Sequence, residues 1–261
     1  MKISAIIQAR MSSERLPGKV LKKIGKYKML EIMIRRLKKA NMIDKIIVAT
    51  THCRGDDKIV NFCKKKKILY FRGNNLDSLK RYYDTAKKYK LDKIVRLTAD
   101  CPLIDHRIID KMINKFNSEN IDYLSNTCPY PSSFPDGSDC EIFSFDALET
   151  THKKAYLPSD REHVTFYMWN KKNRFKTKRF DRKKSLWKYR YTVDYKEDLN
   201  LIRCIYSKFK NNIFDLSTDD IIKFIDKNKS LIKYQKKINR DIGWQRAFEK
   251  DKVFLKHGKS K

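Results

Sequence analysis

The chain has 261 residues, of which 41% are hydrophobic and 35% are charged, which is enough for one large domain or two small ones with a real core. The 61 Lys and Arg residues outnumber the 31 Asp and Glu residues, and the formal net charge is +30. No zinc-finger spacing, aromatic RNP-type strand or basic region leading into heptads accompanies this charge. We therefore expect no specific nucleic-acid partner.

The cysteine pattern and the N-terminal segment indicate the cellular compartment in which we expect the protein. The six cysteines form no CxxC pair and have no histidine at zinc-finger spacing, so we expect free thiols in a reducing environment. The first apolar run, Ile3 to Ile7, is too short for a signal peptide, and no stretch reaches the roughly 20 apolar residues of a membrane span. The expectation is a cytoplasmic protein without a membrane span.

Short apolar runs alternate with segments of helical spacing through the first half of the chain. The predicted strands cover 3–8, 45–50, 68–71 and 94–97. The predicted helices run through 30–37, 56–63, 76–86 and 109–116. This alternation is typical of βαβ units, and it predicts an α/β fold with a parallel sheet covered on both faces.

The pattern changes from about residue 120. Turn-forming residues cluster between 126 and 137. The later predicted strands cover 141–145, 175–180 and 189–193, and the later predicted helices run through 161–169, 197–209 and 217–225. We interpret residues 1–227 as one domain with a lobe inserted at about 126–188, followed by a basic C-terminal extension, 228–261.

The most informative segment is the loop after the first predicted strand, residues 8–19, with the sequence QARMSSERLPGK. Open α/β sheets bind their ligands at the carboxyl ends of parallel strands. Arg10, Arg15 and Lys19 on such a loop suit a polyphosphate, because guanidinium and ammonium groups bind phosphate oxygens. The Walker pattern GxxxxGK[ST] and the dinucleotide pattern GxGxxG are both absent from the chain.

Two further predicted strands each deliver an acid at their carboxyl end. Asp100 follows the strand over 94–97, and Asp194 follows the strand over 189–193. Each acid taken singly could simply cap the next helix. Together, beside a cationic phosphate loop, they predict a Mg²⁺ site, because Mg²⁺ favours one or two carboxylates plus phosphate oxygens.

Residues 8–19 resemble the N-terminal signature of the cytidylyltransferases that activate acidic sugars, the CMP-Kdo and CMP-sialate synthetases. The resemblance is nearest to the SpsF-like branch of spore coat polysaccharide biosynthesis. Further segments match that branch in order: 71–81, 98–104, 135–141, 159–165 and 192–199. Ala99 stands where the family usually has Gly, and Tyr195-Lys196 replaces Thr-Pro, but neither departure removes an acid.

The resemblance implies a fold and a reaction. The fold would be the Rossmann-like three-layer α/β/α architecture of the nucleotide-diphospho-sugar transferases, with a mainly parallel central sheet, in a homodimer. An acidic sugar or sugar-like acceptor would attack the α-phosphorus of CTP and release pyrophosphate, for surface polysaccharide or glycan synthesis. This chemistry depends on neutralising charge and on in-line positioning.

The resemblance also implies roles for individual residues. The catalytic residues would be Arg10, Arg15, Lys19, Asp100 and Asp194, the last two binding Mg²⁺. The nucleotide-binding residues would be Gln8, Ala9, Arg10, Ser12, Arg15, Lys19, Arg72, Asp77 and Arg81. The acceptor-binding residues would be Asp136, Asp139, Glu141, Arg161 and His163. His163 could accept a proton, or it could be a helical histidine satisfied by its neighbours, and 72–81 could be a solvated helix start.

Two alternatives to this function are open at this point. One is a nucleotidyltransferase that uses another nucleoside triphosphate or a phosphorylated or phosphonate acceptor. The other is a basic polyanion-binding protein, for which the net charge of +30 is the motive.

Overall fold

The computed structural model describes residues 3–129, 132–238, 240 and 242–258. Its strands are β1 (Ile3–Gln8), β2 (Lys23–Ile24), β3 (Tyr27–Lys28), β4 (Lys45–Thr51), β5 (Leu69–Gly73), β6 (Lys93–Thr98), β7 (Tyr123–Ser125), β8 (Glu141–Ser144) and β9 (Thr177–Arg179). Its α-helices are α1 (Met29–Leu37), α2 (Asp57–Lys65), α3 (Ser78–Tyr89), α4 (His106–Ser118), α5 (Phe145–Lys154), α6 (Pro158–His163), α7 (Phe166–Trp169), α8 (Lys196–Phe209), α9 (Thr218–Lys227) and α10 (Ile242–Gly258).

The central sheet has the strand order β5-β4-β1-β6-β8-β7-β9, and β2 and β3 form a separate hairpin. All neighbours in the central sheet pair in parallel except β8, which runs antiparallel to both β6 and β7. The α/β fold with a mainly parallel sheet, predicted from the alternating periods, is confirmed.

Side-chain alternation along β1 explains why both faces of the sheet are covered. Ala5 and Ile7 belong to one buried cluster, together with residues of α1, α4, α8 and α9. Ile6 points to the opposite cluster, with residues of α3, α5 and α7. Because successive strand residues face opposite sides, a continuous apolar run is required when helices cover both faces.

The topology locates a crevice at the carboxyl edge of the sheet. The chain proceeds from β1 outward through β4 and β5, and then returns to place β6 on the other side of β1. Gln8 at the end of β1 pairs in register with Thr98 at the end of β6. Such a reversal of strand order leaves the crevice between the two following loops open to a ligand. The loops concerned are 9–18 and 99–105.

Several local predictions need correction in the second half. Residues 189–193 form no strand; a single bridge joins Arg190 to Asp136. The helix predicted over 161–169 is divided into α6 and α7, because Val164 between them has φ of 68°, which no α-helix accommodates. The extension beyond Asn228, which shows only weak periodicity, forms a 3₁₀ segment, Lys229–Lys237, and then α10.

The predicted inserted lobe, 126–188, contributes two strands, β8 and β9, to the central sheet. The division of the chain into 1–227 and 228–261 stays a prediction. Within the described part of the chain, no helix combines the length and the apolar character that crossing a bilayer requires.

Candidate active site

The loop after β1 is held in one shape by backbone contacts at both of its ends. The Met11 N–H donates to Asp56 Oδ1 at 2.7 Å, and the Gly18 N–H donates to the Met11 carbonyl at 2.9 Å. Gly18 has φ of 67°, in the left-handed region where glycine carries no Cβ penalty. The turn at Gly18 directs Lys19 back beneath the loop.

Lys19 is the centre of the site. Its Nζ lies 3.1 Å from Asp100 Oδ2, 2.9 Å from Asp194 Oδ1 and 2.7 Å from the Val193 carbonyl. The residue is only 7% exposed, so the ammonium is enclosed by oxygen atoms. Three residues that the sequence places at different strand ends are therefore brought into direct contact.

The charges in this cluster reinforce one another. Burial by itself would lower the pKa of Lys19, but the carboxylates of Asp100 and Asp194 outweigh it and raise that pKa. Burial likewise opposes ionisation of Asp100, yet the Lys19 ammonium holds the pKa of that carboxyl at about 2. Lys19 and Asp100 are therefore both charged at neutral pH.

Arg15 and Arg190 complete the surroundings of Asp194. The Arg15 Nη2 lies 2.7 Å from Asp194 Oδ1, and the Arg15 guanidinium lies over the Tyr195 ring. Arg190 Nη2 lies 2.9 Å from Asp194 Oδ2 and 3.2 Å from Asp198 Oδ2. The other Asp194 oxygen thus faces the buried Arg190, which fixes the orientation of the carboxylate.

Sequence reasoning missed Arg190, although it stands four residues before Asp194. Its Nη1 also pairs with Asp136. Gly137 makes that pairing possible: a Cβ added there would lie 2.5 Å from the Thr192 nitrogen, so only glycine lets the two backbones approach so closely. Asp136, predicted to bind the acceptor, is held by Arg190 in this structure.

A cavity of about 450 Å³ opens above the Lys19 cluster. Its lining includes Gln8, Arg10 and Arg15 from the loop side and Asp100 and Asp194 beneath them. Arg10 is exposed and, among the described residues, forms no hydrogen bond or ion pair, so its guanidinium is available to a ligand. The opposite wall comes from α6 and α10.

A second cavity of about 160 Å³ shares Thr98 and His163 with the first. Its polar lining includes Asp139 and the ion pair between Arg96 and Glu141, whose positions are opposite one another in the β6–β8 register. Glu141 also accepts hydrogen bonds from Tyr123 Oη at 2.5 Å and Thr165 Oγ1 at 2.6 Å. The Glu141 carboxylate is therefore fully engaged within the protein.

His163 and Asp139 are two polar residues of the second cavity that form no ion pair with a described residue. Burial lowers the pKa of His163 to about 4, so its ring is neutral at neutral pH. Its Nε2 is buried and has no hydrogen-bond partner among the described residues. Burial, together with the charges of Asp136, Asp100 and Glu141, raises the pKa of Asp139 well above its usual range, and that carboxyl forms no ion pair with any described residue.

Other predicted nucleotide-binding residues lie beside the main cavity or beneath it. Gln8 donates to Ser78 Oγ at 3.4 Å while lining the cavity, and Ser12 is exposed on the loop. The Ala9 N–H donates to the Ala49 carbonyl at 3.1 Å. Arg81 is only 1% exposed and donates to Ser78 Oγ at 3.1 Å, behind the carboxyl edge of the sheet.

Three more predicted residues lie outside both cavities. Arg72 pairs with Asp57 at 2.6 Å on the far side of β4. Arg161 Nε donates to Asp77 Oδ2 at 3.0 Å, and Asp77 also caps α3 by accepting from the Lys80 N–H. Two residues predicted to bind different substrates thus bind each other and join α3 to α6.

The chain is similar in sequence to a known protein family and to individual proteins. A family model described as cytidylyltransferase matches residues 4–240. An uncharacterized protein of Methanocaldococcus jannaschii is 38% identical over 244 residues, covering 93% of this chain and 96% of that protein. The spore coat polysaccharide biosynthesis protein SpsF of Bacillus subtilis is 30% identical over 230 residues, covering 85% of this chain and 93% of that protein.

A solved structure gives the same result in three dimensions. A cytidylyltransferase from Leptospira borgpetersenii superposes with a TM-score of 0.83 at 38% sequence identity, covering 89% of this chain and 97% of that one. The family match includes the β1 loop and all three residues of the Lys19 cluster. The chain belongs to the SpsF-like cytidylyltransferase family and is a nucleotidyltransferase.

Proposed function

We propose that the protein transfers CMP from CTP to an oxygen of a sugar-like acceptor, with Mg²⁺ and with release of pyrophosphate. The observation that carries this proposal is the placement of Lys19 between Asp100 and Asp194 beneath a loop whose Arg10 and Arg15 face a 450 Å³ cavity. A nucleoside triphosphate needs cations along its phosphates and carboxylates for its metal, and both are present on one wall.

The donor set of this wall fits Mg²⁺. Asp100 and Asp194 each place an oxygen within 3.1 Å of the same Lys19 nitrogen, so the two carboxylates converge on one point. Mg²⁺ takes one or two carboxylates together with phosphate oxygens, and Asp100 and Asp194 would hold it. The ion would neutralise phosphate charge and polarise the reacting phosphoryl group.

The chain's own cations would do the remaining electrostatic work on the donor. Arg10 is exposed and forms no ion pair with a described residue, and we assign it to the triphosphate. Lys19 is buried and bonded to both acids, so it would hold the acids in position and stabilise charge on the departing pyrophosphate from below. Arg15 is bonded to Asp194 and would act on the phosphates together with Arg10 and Lys19.

The acceptor would occupy the smaller cavity, because that cavity joins the larger one at Thr98 and His163. His163 lines both cavities, and its Nε2 has no hydrogen-bond partner among the described residues, so we assign the neutral ring to accept a hydrogen bond from the attacking hydroxyl. Thr98, Thr127 and Thr165 line the same space, and polar residues of this kind suit a polyhydroxylated compound. An acidic sugar-like acceptor, as the family resemblance implies, is the first candidate.

A specific observation favours a second candidate, an acceptor that carries an amino group. Arg96 in the cavity is neutralised by Glu141, and Asp139 has no cationic partner among the described residues. Arg161, predicted to bind an acceptor carboxylate, lies outside the cavity on Asp77. An ammonium group on the acceptor would supply the partner that Asp139 lacks.

The test is pyrophosphate release from each nucleoside triphosphate with Mg²⁺ and a panel of acidic, neutral and amino sugars. CTP with at least one sugar-like acceptor should react, and CTP should raise the melting temperature more than the other three triphosphates do. The proposal is refuted if no acceptor in the panel supports pyrophosphate release and CTP does not raise the melting temperature. A greater shift by another triphosphate would instead favour the alternative donor.

Matched variants test the assigned residues. Asp100→Asn and Asp194→Asn should each abolish turnover, because each removes one of the two converging carboxylates. Asp84→Asn makes the same change in an exposed ion pair on α3 and should retain activity. Activity of the wild-type level in both active-site variants would refute the metal assignment.

Further parts of the proposal concern the setting of the reaction. The printed role of SpsF in Bacillus subtilis, spore coat polysaccharide biosynthesis, supports a place in surface glycan synthesis. We also propose that the protein is a cytoplasmic homodimer, which fractionation and light scattering test directly. RNA affinity that persists at about 0.15 M salt would favour the polyanion-binding alternative, because counterion release weakens non-specific binding at that ionic strength.

A further inference from the structure

The C-terminal helix α10 forms one wall of the main cavity. Ile242, Arg246 and Lys250 line that cavity, and they are spaced four residues apart. Residues at this spacing lie on one face of a helix. The segments that carry the family resemblance lie between residues 8 and 199, and none of them assigns a role to Arg246 or Lys250.

Buried contacts fix α10 in this position. Asp251 accepts hydrogen bonds from the Ser159 N–H at 2.9 Å and from Ser159 Oγ at 2.5 Å, and Asp251 is only 8% exposed. The Trp244 ring packs edge-on against Phe166 with centroids 4.8 Å apart. The helix is thereby attached to α6 and α7, whose residues line the two cavities. The cavity-facing cations of α10 are thus held on a fixed element.

Arg246 and Lys250 are weakly held by acids at the mouth of the cavity. Arg246 Nη1 lies 3.5 Å from Glu14 Oε2, with the two side chains 59% and 82% exposed. Lys250 Nζ lies 2.8 Å from Glu162 Oε2, with exposures of 59% and 39%. Exposed pairs of this kind contribute roughly 0–1 kcal/mol, so an incoming polyanion can displace the acids at little cost.

We propose that Arg246 and Lys250 form a second phosphate-binding wall, which faces the β1 loop across the cavity and binds the β- and γ-phosphates of the nucleoside triphosphate. This inference rests on the proposed triphosphate substrate and adds residues from the C-terminal helix to its site. The cavity separates cations on the loop side, Arg10 and Arg15, from cations on the helix side. A chain of phosphates lying between them would be contacted from both sides, and the departing pyrophosphate would remain between the same cations.

The structure supplies a matched control on the same helix. Lys252 and Lys256 are also four residues apart and exposed, and they do not line the cavity. The variants Arg246→Gln/Lys250→Gln and Lys252→Gln/Lys256→Gln therefore change the net charge equally. They differ in the face of α10 that loses its cations.

The experiment is calorimetric titration of the full chain with CTP and with CMP, in Mg²⁺ and about 0.15 M salt to suppress non-specific attraction. The Arg246→Gln/Lys250→Gln variant should bind CTP at least about tenfold more weakly than the wild type, since it loses charge-assisted contacts. Its affinity for CMP should stay within about twofold, because CMP has no distal phosphates to lose. The Lys252→Gln/Lys256→Gln variant should match the wild type for both nucleotides.

Three results would overturn the inference. Unchanged CTP affinity in the Arg246→Gln/Lys250→Gln variant would show that the helix does not contact the triphosphate. Equal weakening for CTP and CMP, or equal weakening in the control variant, would show a general effect of charge or of folding. If the wild-type protein binds no nucleoside triphosphate at all, the proposed function fails first and this inference fails with it.

Discussion

Replacing Lys19 by Met removes the buried ammonium and nearly keeps the length of the side chain. At an effective dielectric constant of about 20, each contact of about 3 Å between Lys19 and a carboxylate is worth roughly 5 kcal/mol of Coulomb energy before desolvation. Asp194 retains Arg15 and Arg190 in the variant. Asp100 loses the only ion pair it forms with a described residue.

The net loss of stability follows from Asp100. Removing one partner of a buried ion pair costs about 3–5 kcal/mol, because the remaining charge is left uncompensated. The Asp100 side chain is 29% exposed, so water screens it in part and we expect the lower end of that range, about 3 kcal/mol. This loss corresponds to a fall of roughly 6–12 °C in melting temperature for a chain of this size.

Urea unfolding of Lys19→Met beside Lys23→Met measures the effect. Lys23 is exposed and forms no ion pair with a described residue, so its substitution removes the same charge without removing such a pair. We also expect Mg²⁺ to stabilise Lys19→Met more than the wild type, because the ion can replace the ammonium between the two acids. A difference below about 1 kcal/mol between the two variants would refute this account of the cluster.

Three further outcomes follow from the structure. The folded-state pKa of about 4 for His163 lies below its value of about 6.5 in the unfolded chain, so this residue stabilises the fold above pH 6.5 and less as the pH falls toward 4. Between pH 7 and pH 4.5 the free energy of unfolding should fall by about 2 kcal/mol less in His163→Gln than in the wild type. An equal fall in the two proteins would contradict this prediction. Arg36 is fully buried and donates to the carbonyls of Leu103, Ile104, Ile213 and Leu216. Arg36→Met should therefore lower the free energy of unfolding by about 3 kcal/mol or more without rescue by Arg36→Lys, and a loss below about 1 kcal/mol would be inconsistent with it. Arg161→Met should lower the melting temperature while leaving the acceptor KM unchanged, because Arg161 binds Asp77 in the structure; a large rise in that KM would restore its predicted role in acceptor binding.

The parallel sheet was predictable because its signal is local. Each central-sheet strand of the first half contains a short apolar run, and each helix between these strands has its own period, so neither signal depends on distant residues. The part of the site that rests on strand ends was predictable for the same reason. Asp100 comes shortly after β6 and Lys19 ends the loop after β1, and the parallel topology brings the ends of β1 and β6 to one edge. Asp194 follows an apolar run that forms no strand, and the backbone bond from the Val193 N–H to the Asp100 carbonyl holds that run beside the same edge.

The second half was less predictable because its elements depend on partners. Residues 189–193 have the composition of a strand, but their backbone–backbone bonds to other described segments go to Asp136 and Asp100 alone, as in the 2.8 Å bond from the Val193 N–H to the Asp100 carbonyl. No ladder partner is present for them among the described residues. Strand propensity describes a side chain that fits a pleated surface, and it does not create the neighbouring strand.

By itself, the amino-acid sequence determined the α/β class, the cationic loop after β1 and the two acids that meet Lys19. Only the tertiary structure decided which charges pair. Arg190 pairs with Asp136, which is 54 residues away in the sequence. Arg161 pairs with Asp77 across 84 residues, and Arg246 pairs with Glu14 across 232 residues. Periodicity reports which face of an element is buried, whereas ion pairing depends on which elements meet, and the fold alone establishes that.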